Sequence, residues 1–154
     1  DKVALFGMDI DAIKQSLTTA GYKRAIEEAG KTVDESLIVR VPSDRKTLEE
    51  VDFAEKVLKT GATAAVVEDD RFAIMLLNQL TEKGVKIPEE FEIISAKNSP
   101  LIDIVRPKIT SITQPLYDLG AVAMRLLTKL MNDEENDEIH ITLPYKFSKQ
   151  DSTK

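Results

Sequence analysis

The chain has 154 residues, 42% of them hydrophobic and 31% charged, so it is expected to form one domain, or one lobe of a larger protein, around a substantial core. Its net charge of −6 argues against a surface that itself wraps nucleic acid, because such a surface needs a basic footprint. It has no cysteine, no apolar run long enough to span a membrane and no visible signal peptide, which excludes disulfides and thiolate chemistry and favours a cytoplasmic protein.

Short apolar segments alternate with helical patterns over the first two thirds of the chain. The predicted strands are residues 2–6, 35–41, 62–67 and 91–95. The predicted helices run from about residue 12 to 29, from a Ser43-Asp44 cap to Leu58, and from a cap at Asp69 or Asp70 to Glu82. This alternation predicts right-handed βαβ crossovers, and therefore an α/β fold with a parallel sheet.

The alternation ends after Ser95. Residues 97–108 contain two prolines and are predicted to form a loop, followed by a short strand at 109–113. A helical pattern follows at residues 115–132, and residues 133–138 after it are predicted to form a charged turn. Residues 139–143 and 145–147 are predicted as two final strands, and the polar tail 149–154 is expected to fray.

Residues 115–132 show the strongest helical pattern, with Pro115 expected at the first helical position. One face is apolar throughout: Leu116, Leu119, Val122, Ala123, Leu126, Leu127, Leu130 and Met131. The opposite face mixes charges with an aromatic residue and a methionine: Tyr117, Asp118, Ala121, Met124, Arg125, Thr128 and Lys129. A solvated face explains arginine and lysine alone, whereas the mixture favours a docking surface.

No catalytic constellation stands out. The single histidine, His140, is predicted as an exposed strand residue, and one histidine without cysteine makes a zinc site improbable. Glycine-rich phosphate loops are absent. Asp69-Asp70 and Lys97-Asn98 follow neighbouring strands, where open α/β sheets bind ligands. Helix capping is favoured for the acidic pair, and a turn is the alternative for Lys97-Asn98.

The predicted helix ending at Glu82 has a core-facing stripe that leaves Ile74 and Met75 outside it. A helix that is apolar on two sides is either buried on both or meets a partner. Ile74 and Met75 are therefore candidate subunit contacts, and burial within the same fold is the equal alternative.

Four segments resemble the effector-binding region of lac and galactose repressor-type regulators: residues 21–26, 66–80, 87–94 and 110–132. The last segment, the Val-Arg-Pro ahead of it and the Ser-Thr-Lys ending are similar to the regulators of carbon catabolite control in Gram-positive bacteria. The resemblance implies a parallel-sheet, three-layer lobe of the periplasmic-binding-protein-like (type I) fold. Residues 1–114 and 134–154 would form a carboxy-terminal sensor subdomain. Residues 115–133 would be a crossover helix that packs on an amino-terminal subdomain, which this chain lacks, as it lacks the DNA-binding domain.

In the catabolite control branch, this helix docks the serine-phosphorylated histidine-containing phosphocarrier protein, which tunes operator binding by the full-length dimer. The resemblance implies that role for the matching positions here: Tyr117, Asp118, Met124, Arg125, Thr128 and Lys129. Arg125 and Lys129 lie one turn apart and can pair with phosphoserine. Operator DNA would be bound only through the missing amino-terminal domain.

The resemblance also implies an effector cleft formed by Lys14, Thr18, Asp69, Lys97 and Gln114. Sugar-responsive relatives carry arginine at Thr18, asparagine at Asp69 and aspartate at Lys97, so ordinary sugars are expected to bind poorly. A small phosphorylated metabolite near Lys97 stays an alternative effector. The implied homodimer interface comprises Ala73, Ile74, Met75, Leu77, Leu101 and Ile102.

No cofactor or metal is expected, and an α/β enzyme is disfavoured because no nucleophile–base set is visible. A sugar-binding protein of the periplasmic type is the alternative class. Without the amino-terminal lobe, eight apolar side chains of residues 115–132 lose their cover. That helix is therefore expected to fold back, to pair with another copy, or to swap between chains.

Overall fold

A six-stranded sheet organises the computed structural model, which describes residues 2–8, 17–41, 51–132 and 140–154. The strands are β1 (Val3–Met8), β2 (Ile38–Val41), β3 (Ala64–Val67), β4 (Glu92–Ser95), β5 (Thr110–Thr113) and β6 (Lys146–Ser148). Their spatial order is β2-β1-β3-β4-β5-β6. The first five strands pair in parallel, and β6 pairs antiparallel with β5. The predicted α/β fold with a parallel sheet is confirmed.

Helices cover the sheet on both faces, which gives the expected three layers. The described α-helices are α1 (Leu17–Glu28), α2 (Phe53–Lys59), α3 (Asp70–Glu82) and α4 (Leu116–Met131). On one face α2 and α3 bury the main core, in which the rings of Phe6 and Phe53 lie 6.2 Å apart in an edge-to-face contact. On the other face Tyr22 of α1 packs against Leu5 and Ile38.

The third predicted helix matches α3 closely. Asp69 is its N-cap and accepts a hydrogen bond from the Arg71 amide, as the capping pattern predicts. The five residues of the predicted stripe are all buried: Phe72, Ala73, Leu76, Leu77 and Leu80. Gly84 follows with a φ of +78°, a conformation that favours glycine at a helix end.

The predicted strand at residues 35–41 is wrong in its first half. Residues Glu35–Leu37 form a 3-10 turn, and β2 begins only at Ile38. The cause is Asp34, whose carboxylate accepts hydrogen bonds from the amide and the hydroxyl of Ser36. Such a local side-chain bond competes with the strand ladder.

The prediction of one continuous helix from a Ser43-Asp44 cap to Leu58 is also wrong. Asp52 has extended backbone angles and caps α2, which begins at Phe53. Gln79 of α3 fixes this start, because its side-chain oxygen accepts the Phe53 amide at 2.8 Å and its side-chain nitrogen donates to the Val51 carbonyl at 3.0 Å. The predicted Ser43-Asp44 cap and the predicted start of α1 near residue 12 lie outside the described residues.

The predicted loop at residues 97–108 and the predicted strand at residues 139–143 both differ from the structure. The predicted loop at 97–108 contains a 3-10 helix, Pro100–Ile104, capped by Ser99. Residues 140–145, which include His140, are exposed or half-buried and form no strand, so β6 is the one final strand within the described residues. The predicted charged turn at 133–138 lies outside them.

The carboxy-terminal tail is not frayed, contrary to expectation. Ser152 is completely buried, and its backbone bridges β4 and β5 by bonding the Ile93 amide and the Lys108 carbonyl, each at 3.0 Å. Its hydroxyl donates to the Ile93 carbonyl at 2.6 Å and accepts the Thr110 amide at 2.8 Å. The tail is ordered because it completes the hydrogen bonding of two strands.

Helix α4 lies on the outside of the described structure. Pro115 is its N-cap and makes no side-chain capping bond, so the predicted first helical position is one residue too early. None of its residues is buried. The expectation that α4 folds back and buries its apolar face against the same chain is therefore wrong for the described residues. Pairing or swapping of α4 with another copy stays a prediction. None of the described helices is long and apolar enough to cross a membrane.

The tail contacts predict the effect of one substitution. Ser152→Ala removes the hydroxyl that serves Ile93 and Thr110, so it should lower the free energy of unfolding by about 1–3 kcal/mol, the cost of leaving buried polar groups unsatisfied. Urea denaturation measures this. Lys149→Ala, at an exposed position three residues away, should change the stability little. Equal stability of the two variants would contradict the structural role of the tail.

Candidate functional site

A cleft of about 280 Å³ opens at the carboxyl ends of three neighbouring strands. Asp70 comes from the start of α3 after β3, Gln114 and Leu116 follow β5, and the loop after β4 supplies the rest of the lining: Lys97, Asn98, Ser99 and Pro100. Parallel strands bring these chain-distant loops to one edge of the sheet. Ligands of open α/β sheets bind at this edge.

A buried carboxylate with two cationic partners lies behind the cleft. The side chain of Asp69 is 7% exposed, and its Oδ1 accepts the Arg71 Nε–H at 2.9 Å. Its Oδ2 accepts from Arg71 Nη2 and from Lys97 Nζ, both at 3.2 Å. Both oxygens of Asp69 are thus occupied by cations, whereas Lys97 is half-exposed towards the cleft.

These contacts determine the ionisation of Asp69. Burial raises the pKa of its carboxyl, but the hydrogen bonds from Arg71 and Lys97 outweigh the burial and hold the pKa below the ordinary value of 3.8. Asp69 is therefore ionised near neutral pH and acts as a structural counterion. It is not free to accept hydrogen bonds from a neutral sugar.

Two further bonds tie the cleft wall to its surroundings. Asp70, 5% exposed, accepts the Ser99 amide through Oδ2 at 2.8 Å. The side-chain amide of Asn98 donates to the Thr113 hydroxyl at 2.8 Å. The cleft is a preformed site with Lys97 as its half-exposed cation.

The structure brings together part of the predicted cleft. Lys97 and Gln114 line it side by side, and Asp69 reaches it through its bond to Lys97. Thr18 is half-buried on α1 and does not line it, and Lys14 lies outside the described residues. Ser99 and Pro100 were missed because residues 97–108 were predicted only as a loop that contains two prolines. Their position after a predicted strand was the available signal.

A larger cavity of about 400 Å³ lies at the opposite, amino ends of the strands. Two of its three glutamates are already engaged, because Glu90 accepts the Lys86 amide and Glu92 accepts the Lys154 amide. The described residues contain no group of three or more histidine, aspartate and glutamate side chains arranged to hold a metal ion. The cleft at the carboxyl ends therefore stays the candidate small-molecule site.

The second candidate surface is the outward face of α4. Tyr117 is 89% exposed and Met124 61% exposed, and Arg125 is exposed while Lys129 is half-exposed. The Thr128 hydroxyl donates to the Met124 carbonyl at 2.9 Å, so it is used within the helix. All six predicted docking residues lie on this one helix at accessible positions: Tyr117, Asp118, Met124, Arg125, Thr128 and Lys129.

The predicted dimer residues divide into two groups. Ala73, Leu77 and Ile102 are buried in the core of this same chain, so their side chains are used internally. Ile74 and Met75 are half-buried against that core, and Leu101 is exposed. Exposed Ile104, which had been missed, lies close to Leu101 on the same 3-10 helix.

Comparisons with known proteins agree with this fold. Residues 1–153 match the family described as periplasmic binding protein-like domain. Catabolite control protein A of Streptococcus mutans is 43% identical over the whole chain, which covers 46% of that protein. Catabolite control protein A of Priestia megaterium is 38% identical over 94% of the chain and 43% of its own length.

A solved structure gives the same result. The crystal structure of the transcription regulator CcpA of Lactococcus lactis matches with a TM-score of 0.86 and 41% identity, over 99% of this chain and 56% of that chain. The chain thus spans about half the length of the relatives it matches. It belongs to the periplasmic binding protein-like domain family, among the transcriptional regulators of the catabolite control protein A and lac repressor type.

Proposed function

We propose that the chain is the carboxy-terminal sensor subdomain of a bacterial regulator of carbon catabolite control. In this proposal, α4 docks a serine-phosphorylated histidine-containing phosphocarrier protein, and docking tunes operator binding by the full-length dimer. The observation that carries the proposal is the accessible pair Arg125 and Lys129 on a helix that buries none of its residues.

The geometry of this pair suits a phosphoserine. Arg125 and Lys129 are four residues apart, which places them about 6 Å apart along the axis of one helix face. Within residues 2–8, 17–41, 51–132 and 140–154, neither forms an ion pair. A phosphoserine carries about −1.5 to −2 charges and three acceptor oxygens, so it can bond both cations at once.

The residues around the cations supply contact area. Tyr117 and Met124 present a rigid aromatic ring and an adaptable thioether on the same helix, and both are largely exposed. Asp118 near the start of the helix is free to meet a basic residue of the partner. The mixture supports a protein partner over a free anion, which needs only the two cations.

The apolar face of α4 has a different use in this proposal. It includes Leu119, Leu127 and Leu130, each about half-exposed in this chain. The matched relatives are about twice as long, so the remainder of such a protein can cover that face and leave Arg125 and Lys129 accessible. The apolar face would then hold the lobes together while the polar face binds the carrier.

Operator binding and dimerisation complete the proposal. In this proposal, operator DNA is bound by an amino-terminal domain outside this chain, in a cytoplasmic protein. The net charge of −6 supports this, because a surface that binds DNA needs a basic footprint. Ile74, Met75, Leu101 and Ile104 supply the apolar surface for a homodimer. The coupling expected between carrier and operator binding is about 1–3 kcal/mol, the usual size of an allosteric coupling free energy.

The cleft supports a second ligand, a small phosphorylated metabolite. Because Asp69 is occupied by Arg71 and Lys97, the cleft offers the remaining N–H groups of Lys97 and the amide of Gln114 as donors. Donors favour an anion over a neutral sugar. This also disfavours the alternative of a periplasmic sugar-binding protein.

Charge reversal on α4 tests carrier docking. Arg125→Glu/Lys129→Glu in a two-lobed protein should weaken binding of the phosphorylated carrier by at least about 100-fold, because hydrogen bonds to charged groups contribute about 1.5–3 kcal/mol each. Isothermal titration calorimetry with phosphorylated and unphosphorylated carrier measures this. Lys56→Glu/Lys86→Glu is the matched control, since it makes the same change of charge at exposed positions away from α4. Unchanged affinity of the α4 variant would remove the docking proposal.

The pKa of Asp69 predicts a pH-dependent effect of Asp69→Asn. Because the folded pKa is depressed, the ionised carboxylate stabilises the fold above about pH 4, and this stabilisation is lost as pH falls through the folded value. Asparagine keeps the helix cap. The free energy of unfolding of wild type should exceed that of the variant by a constant amount above about pH 5. This difference should become smaller towards about pH 3. Urea unfolding at several pH values measures it, and a pH-independent difference would contradict the ion-pair role.

A further inference from the structure

The 3-10 helix Pro100–Ile104 lies between the cleft and an exposed apolar surface. At its amino end, Ser99 and Pro100 line the cleft. Further along, Leu101 is 44% exposed and Ile104 75% exposed, although Ile102 between them is anchored in the core. Six consecutive residues therefore reach from the candidate ligand site to the surface assigned above to the homodimer.

Hydrogen bonds make this segment one unit with the start of α3. The buried Asp70 carboxylate accepts the Ser99 amide at 2.8 Å. Ser99 in turn organises the 3-10 helix, since its carbonyl accepts the Ile102 amide at 3.1 Å and its hydroxyl accepts the Leu101 amide at 3.3 Å. The bond from Asp70 thus fixes the residue on which the first turn of the 3-10 helix depends.

Asp70 belongs both to the cleft and to the helix that carries part of the proposed dimer surface. It lines the cleft, and it stands at the start of the helix that carries Ile74 and Met75 about one turn later. It is only 5% exposed, so it cannot contribute contact area to a partner. Any effect of Asp70 on subunit contacts must therefore act through the position of Ser99 or of α3.

We propose that Asp70 is a positioning residue that couples occupancy of the cleft to self-association through the segment from Ser99 to Ile104. A hydrogen-bond donor of a ligand that reaches Asp70 competes with the Ser99 amide for its carboxylate. Because the Leu101 and Ile102 amides are bonded to Ser99, a shift at Ser99 displaces the first turn of the 3-10 helix and changes the exposed apolar surface at Leu101. By linkage, self-association then changes affinity in the cleft by the same factor. The inference rests on the homodimer and the cleft of the proposed function.

The sharpest test removes the Ser99 amide and leaves Asp70 untouched. Ser99→Pro has no N–H to donate, and its ring carbon takes the place of the proton that Asp70 accepts, so this variant breaks the bond and displaces residue 99 from the Asp70 carboxylate. Ser99→Ala is the matched control, because it keeps the N–H and loses only the hydroxyl, whose bond from the Leu101 amide is long, at 3.3 Å, and exposed to solvent. Analytical ultracentrifugation of a two-lobed protein that contains this chain, in which the apolar face of α4 is covered, should show a dimer dissociation constant about tenfold higher for Ser99→Pro, and within about threefold of wild type for Ser99→Ala.

A second pair of variants tests the acceptor. Asp70→Ala should weaken self-association and speed hydrogen exchange of the Ile102 amide, while the amides of β1 and β3 keep their protection. Asp70→Asn retains an oxygen acceptor for Ser99 and should resemble wild type in both measurements. Asp103→Ala removes an exposed carboxylate from the same 3-10 helix and should also have no effect. Exchange that rises equally throughout the chain would mean that Asp70 is merely structural, and would overturn the inference.

Two further results would overturn it. One is a wild-type two-lobed protein that stays monomeric, or that still dimerises normally with Ile104→Asp, since the exposed apolar surface is then not a subunit contact. The other is equal dissociation constants for Ser99→Pro and Ser99→Ala. Carrier binding distinguishes this inference from the proposed function, because Ser99 and Asp70 lie away from Arg125 and Lys129. A wild-type protein without carrier affinity would remove the docking proposal and leave the coupling between cleft and dimer standing.

Discussion

The two adjacent carboxylates Asp69 and Asp70 hold the functional edge of this lobe together. Both are buried, and each takes a different partner from the loop after β4: Lys97 for Asp69 and the Ser99 amide for Asp70. Asp69 also caps α3 and binds Arg71. A buried charge is costly unless it is paired and hydrogen-bonded, so this acidic pair is stable only because the next strand end delivers its partners.

This arrangement gives the cleft its chemistry. With both oxygens of Asp69 committed to cations, the accessible polar group is a lysine with spare donors. The loop after β4 also supports the wall of the cleft, because its Ser99 amide donates to the Asp70 carboxylate. Lys97 neutralises the charge of Asp69 and stays half-exposed, so the candidate cleft presents a cationic donor beside an occupied carboxylate.

Local sequence patterns correctly predicted the structural features that depend on residues close together in the chain. The cap and the buried stripe of α3, and the amphipathic period of α4, follow from residues within one or two turns and were confirmed. The 3-10 turn at Glu35–Leu37 was missed because a single side chain, Asp34, outcompetes the strand pattern. Ser152 was interpreted as part of a frayed tail because its partners, Ile93 and Thr110, are distant in sequence. The family resemblance implied that Asp69 and Lys97 line one cleft, but the ion pair between them is a tertiary contact that the sequence did not predict.

The pairing of β5 with β6 has a mechanical consequence for α4. Ile112 lies opposite Phe147 and Thr113 opposite Lys146, so the chain departs from the sheet and rejoins it on neighbouring strands. Everything between Thr113 and Lys146 is in effect an insertion at the end of a β-hairpin, attached by two peptide tethers about 4.8 Å apart. Both ends of this insertion are therefore held at the same end of the β5–β6 pair, and the register of the two strands is set by their own pairing.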